Sequence, residues 1–158
     1  MPTPTYIPLA TFTASGGETA VTFSSIPATY RDLILVLGSF QLPAATNIWC
    51  RANGDGSSSY SYVYAFSTSS AASSSTNGFL IGGLAQGASM NTIITQFMDY
   101  SATDKNKSML SRSTDDLQAV TMIAGRWPQN TAINSLSIRV VANSFAIGST
   151  FSLFGIAG

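Results

Sequence analysis

The sequence predicts an all-β fold: an antiparallel β-sandwich of about 8–10 short strands, with the jelly roll as the expected topology. Three observations carry that expectation. Runs rich in β-branched and aromatic residues are short and alternate in polarity. Clusters of Gly, Pro and Ser interrupt them about every 8–15 residues. No stretch of a dozen residues has helical spacing. A chain of 158 residues suits a single domain over residues 1–158, long enough to bury about 68–70% of its unfolded surface.

Residues 1–5, MPTPT, read as an extended N-terminal arm, with neither the basic start nor the apolar run of a secretory signal. Strand-like runs at residues 6–13, 19–23 and 32–40 follow, separated by turn-forming residues. In the third, Leu33, Leu35 and Leu37 face one way while Ile34 and Val36 face the other, the pattern of a strand covered on both faces. The series continues at residues 47–52, 59–66, 92–100, 107–112, 119–127, 134–141 and 150–156. Tyr60, Tyr62 and Tyr64 share one face, as do Leu136, Ile138 and Val140. Residues 67–78, STSSAASSSTNG, have a flexible-linker composition and are expected to form a long surface loop, or one that orders against a neighbouring subunit. The best helical candidate, residues 111–119, is too short and polar for more than one turn.

Only 9% of the residues are charged, against roughly 25% in an average domain, and there is no histidine. Ser, Thr, Asn and Gln therefore supply most of the polar surface, and few groups can move a proton or neutralise phosphate near neutral pH. Seven basic and seven acidic residues are scattered along the chain, for a net charge of zero. Without clustered Lys or Arg, neither nucleic acid nor an anionic membrane surface is an expected partner. The longest apolar run, residues 33–37, is far below the roughly 18 residues of a membrane span. Neutrality also weakens repulsion between copies, which points to assembly. Cys50 is the only cysteine, so no intrachain disulfide can form; it reads as a buried, inert thiol.

Tests for chemistry return no catalytic, cofactor-binding or metal residues. Without histidine no Ser-His-Asp or Cys-His system can be assembled, and a single Cys cannot complete a zinc set. No phosphate-binding glycine motif occurs; residues 82–87, GGLAQG, have other spacings. Asp115 and Asp116 are adjacent, so on a strand they point to opposite sides rather than across a sugar ring; a solvated turn is the expectation. The rival enzyme is a glycan depolymerase using Asp99, Asp104, Asp115 or Asp116 between subunits. Residues 53–57, NGDGS, resemble the start of a calcium loop, but Tyr64 stands where the bidentate Glu belongs, so a hairpin turn is expected. The aromatics Trp49, Trp127, Tyr60, Tyr62 and Tyr64 remain as interface or ligand-facing candidates, with core packing as their alternative.

The run VTFSSIPATYRDLIL at residues 21–35 resembles a segment of tailed-bacteriophage virion proteins, where it opens a β-sandwich module. Further matches follow in order: Arg51-Ala52-Asn53-Gly54-Asp55 with Tyr60-Ser61-Tyr62, then Gly125-Arg126-Trp127 with TAINSL at 131–136. The last is NSFAIGSTFSLFGI at 143–156, so the matches span about residues 20–156, nearly the whole chain. The resemblance implies a non-enzymatic capsid decoration (cement) protein on the capsid exterior, made in the bacterial host cytoplasm. Its partners would be the phage major capsid protein and further copies of itself, with a trimer favoured. The alternative is a tail-fibre or receptor-binding module for host glycans. A chain little longer than the module leaves no room for a fibre shaft, which favours decoration.

Overall fold

The computed structural model describes residues 4–43, 46–57, 60–66, 69–85, 91–114 and 120–158. Twelve strands occur, and no helix occurs among the described residues. In chain order they are β1 (Tyr6–Thr13), β2 (Ala20–Phe23), β3 (Asp32–Phe40), β4 (Thr46–Ala52), β5 (Tyr60–Phe66) and β6 (Ser69–Ser75). Then come β7 (Phe79–Ala85), β8 (Asn91–Met98), β9 (Lys107–Thr114), β10 (Val120–Trp127), β11 (Leu136–Val140) and β12 (Thr150–Ile156). They form an eight-stranded sheet in the order β1-β12-β3-β8-β9-β10-β5-β6 and a four-stranded sheet in the order β2-β11-β4-β7.

The pairings are antiparallel and nested. β1 pairs β12, β2 pairs β11, β3 pairs β8 and β4 pairs β7, as in a long hairpin rolled into two layers. Rolling brings β12 beside β3 and β11 beside β4. That nesting is a jelly roll, as the turn spacing predicts. Two hairpins are inserted in it: β5–β6 between β4 and β7, and β9–β10 between β8 and β11. Both join the larger sheet, doubling its width.

The ten runs expected from the sequence each hold a strand; β6 and β7 are additional. The serine tract is therefore not a loop over its whole length. Residues 69–75 pair in unbroken register with β5, from Phe66↔Ser69 to Tyr60↔Ser75. Ser and Ala have weak strand preference, so pairing with β5 imposes the conformation that local propensity does not. Residues 67 and 68 lie outside the described residues, as do residues 1–3 of the expected arm and residues 115–119 of the one-turn candidate; its residues 111–114 belong to β9. β7 escapes periodicity because Gly82 stands where the pattern needs a side chain. A Cβ there would run into the Ile93 side chain of β8, so glycine lets β7 lie close against it.

The core fills the space between the sheets. Leu33, Leu35 and Leu37 of β3 meet Phe151 and Leu153 of β12, Ile93 and Phe97 of β8, and Leu136 and Ile138 of β11; all are at most 1% exposed. Phe79 meets Phe97 edge-on at 5.6 Å and Tyr60 at 5.0 Å, tying both inserted and framework strands into one cluster. Buried hydroxyls are satisfied: Ser111 Oγ donates to Ile81 O at 2.6 Å and shares a 2.8 Å bond with Thr95. Ile34 and Val36 point away from this core. No described element forms a second layer over them, yet Ile34 is buried and Val36 half-buried, so β3 is shielded on both faces over most of its length.

Candidate functional site

Asn53 and Gly54 both have positive φ, 50° and 70°, which turns the chain sharply out of β4. The turn aims the Asn53 side chain across at the β10–β11 connection. Its Oδ1 accepts the N–H groups of Asn134 (2.9 Å) and Ser135 (3.2 Å), and its Nδ2 donates to Ala132 O (2.8 Å). Asp55 Oδ2 accepts the Trp127 indole N–H at 2.6 Å, and Oδ1 accepts the Ser57 N–H at 2.8 Å. Burial opposes ionisation of Asp55. The bonds from Ser57 and Trp127, with the nearby Arg51 charge, outweigh it and hold the carboxyl below its ordinary range. The oxygens of this loop thus face N–H donors rather than a common centre. Among the described residues, no group of three or more Cys, Asp or Glu side chains comes together as a metal set.

Tyr60 completes the cluster. Its hydroxyl accepts the Ala52 N–H (3.1 Å) and donates to Asp55 O (3.2 Å), while its ring stacks on Trp127 at 6.1 Å with a 10° tilt. Burial pushes its phenol pKa well up. Tyr60, Trp127 and Trp49 are 0%, 2% and 6% exposed, so none is ligand-facing. The reason is the width of the larger sheet: β5 lies beyond β10, and Tyr60, Tyr62 and Tyr64 turn their shared face inward. Trp49 sits on the opposite face of β4 from Ile48 and Cys50, yet Tyr62 covers it edge-on at 5.9 Å. Only Tyr62 and Tyr64, half-buried with ring centroids 6.3 Å apart, keep an accessible edge. Cys50 is fully buried, and burial pushes its thiol pKa far up, so it is not a nucleophile.

The carboxylates do not assemble a catalytic pair among the described residues. Asp32, 5% exposed, accepts from Gln96 Nε2 (2.9 Å) and the Asp99 N–H (3.0 Å), pinning the turn after β8 to the start of β3. Asp99 pairs with Lys105 at 3.2 Å on the surface. Asp115 and Asp116 lie outside the described residues. Lys107 is 1% exposed and donates to Lys105 O at 2.8 Å; burial lowers its pKa.

What the sequence expectations missed is the outer face of the larger sheet. Register places Phe154, Ile34, Gln96, Leu110, Ala124 and Val63 in one row across six strands. The adjacent row holds Ser152, Val36, Ile94, Arg112, Met122 and Ala65. Leu110, Met122 and Val63 are 46%, 54% and 56% exposed. Ile34, Val36 and Ile94 line a trough of about 530 Å3 between Tyr6 and Phe154 on one side and Leu110 and Met122 on the other. Arg112 is the only charged residue lining it and makes no hydrogen bond or ion pair among the described residues. The available signal was apolar residues at both strand parities: Leu110 beside buried Met109, and Met122 beside buried Ile123.

No family model matches this sequence, and no curated protein matches it. Among solved structures, the chain is similar to Caenorhabditis elegans galectin LEC-6 at 10% identity and a TM-score of 0.41, covering 90% of this chain and 94% of that one. A human SPRY domain is similar at 11% identity and a TM-score of 0.30, covering 94% and 95%.

Proposed function

We propose that this chain is a non-enzymatic structural protein of a tailed-phage particle: a capsid decoration (cement) protein that holds neighbouring major-capsid subunits from the capsid exterior. The observation that carries the reading is where the chemistry-bearing groups sit. Asn53, Asp55, Tyr60 and Trp127 are joined to one another or to the adjoining backbone, while the outward face of the larger sheet exposes Leu110, Met122 and Val63. Such a molecule acts by surface contact. The jelly roll suits that role, being a common architecture of capsid domains, and the phage setting rests on the sequence resemblance across residues 20–156 alone.

The glycan-binding alternative relies on the tyrosines of β5, and burial of Tyr60 leaves Tyr62 and Tyr64 as its stacking surface. Cryo-electron microscopy of virions carrying the protein tests the proposal. Density repeated over the capsid lattice is the expected result. Copies confined to the tail or its fibres overturn it in favour of receptor binding.

A further inference from the structure

We propose that Asn77 is a site of spontaneous covalent modification: its side-chain amide closes on the Gly78 nitrogen and ends as a carboxylate, loosening the passage from β6 to β7. The inference does not depend on where the protein is assembled.

The chain contains two Asn-Gly pairs, Asn53-Gly54 and Asn77-Gly78. A glycine after asparagine has no Cβ to keep its backbone nitrogen away from the asparagine side chain. That nitrogen loses its proton to water or hydroxide and bonds to the asparagine Cγ. The Cγ–Nδ2 bond breaks, and Nδ2 takes up a proton and leaves as ammonia. Water then opens the cyclic imide at either carbonyl carbon, giving aspartate or isoaspartate. The net change is amide plus water to acid plus ammonia.

The fold treats the two pairs differently. The Asn53 amide is held by the N–H groups of Asn134 and Ser135 and by Ala132 O. These bonds must break before its Cγ can swing to the Gly54 nitrogen, which slows closure by at least about tenfold at the net worth of such bonds. The Asn77 side chain is half-buried and makes no hydrogen bond among the described residues. The chain just before it is fixed, because Asn77 N–H donates to Ser75 Oγ at 2.8 Å and Arg51 donates to Thr76 O at 3.1 Å. The peptide that joins Asn77 to Gly78 bonds to no described residue through its C=O or its N–H. It can therefore turn towards the side chain without breaking a hydrogen bond to them. Exposure alone ranks the pairs the other way, since Gly54 is exposed and Gly78 buried, so the two arguments are separable.

The place of the product gives it a consequence. Isoaspartate routes the backbone through the side chain and adds a methylene to it directly before Gly78. Gly78 lies against the Cys50 carbonyl with no space to shift, and the β4–β7 ladder begins at Phe79↔Cys50. On the other side, β6 is exposed at residues 70–74 and is held by its pairing with β5. β6 is thus the element that gives way.

Peptide mapping by mass spectrometry, with aspartate and isoaspartate forms separated, tests the proposal on the folded chain held at mildly alkaline pH. Asn77 is expected to convert at least about tenfold faster than Asn53. In urea the ratio is expected to fall to a few-fold, because the bonds that protect Asn53 are lost. Converted wild type is expected to have a lower urea midpoint, whereas Asn77→Ser keeps its starting midpoint through the same incubation. A folded-state ratio below about tenfold overturns the proposal. A ratio that persists in urea, or an unchanged midpoint at full conversion, overturns it as well.

Discussion

Asn53 shows how much one residue in this fold carries. Its backbone occupies the left-handed region and its side chain makes three hydrogen bonds to the β10–β11 connection. Asparagine is among the few residues that tolerate that φ, and its short amide can both donate and accept. Asn53→Ala is expected to lose about 2–4 kcal/mol in urea unfolding, combining backbone strain with unpaired backbone groups. Asn53→Gly keeps the turn and loses only the bonds, so it falls between wild type and Asn53→Ala. Equal losses for the two variants would show that the φ is irrelevant.

Among the elements, the passage from β6 to β7 is the most constrained. The chain leaves the edge of the larger sheet and enters the smaller one within three residues. Gly78 makes this possible with a φ of 125°, lying so close to β4 that an added Cβ would press on the Cys50 carbonyl and the Arg51 nitrogen. Neither backbone group can move without disturbing the β4–β7 ladder. Gly78→Ala is therefore expected to cost about 3 kcal/mol or more, since steric overlap adds to strain. Gly54→Ala, at a φ of 70° with open space around it, is expected to cost only about 1–2 kcal/mol. Comparable urea midpoints for the two variants would sink the close-approach account of β7.

For the whole molecule, the absence of histidine decides the pH response. Hydrogen bonds from Ser15 and Gly16 lower the Glu18 carboxyl to about 2, and Asp55 is also held low. Groups depressed in the folded state stabilise it above their unfolded pKa of about 4, and this contribution fades as pH falls towards their folded values. Burial raises Cys50, Tyr60 and Tyr100. Their contribution is complete below unfolded values of about 8.5–10 and fades as pH rises beyond them. Burial of Lys107 acts in the opposite direction at high pH. Urea midpoints are expected to be flat between about pH 5 and 8 and to fall on both sides. A stability step near pH 6–7 would contradict this, and Glu18→Gln is expected to flatten part of the acid limb.

The sequence by itself determined the fold class, ten of the twelve strands and which residues share a face within them. Alternation and turn chemistry are local, and Leu136, Ile138 and Val140 can face only one way along a strand. It also determined the lack of histidine chemistry, because composition does not depend on folding. Tertiary structure alone decided that a serine tract becomes β6, since its strand conformation comes from pairing with β5. It likewise decided that Tyr60, Trp49 and Trp127 are buried while Leu110 and Met122 are exposed. Period-two spacing says which residues share a face of a strand but not which face meets the core. That choice follows from the nested pairing that sets the larger sheet against the smaller one, a long-range property that no local window of this sequence contains.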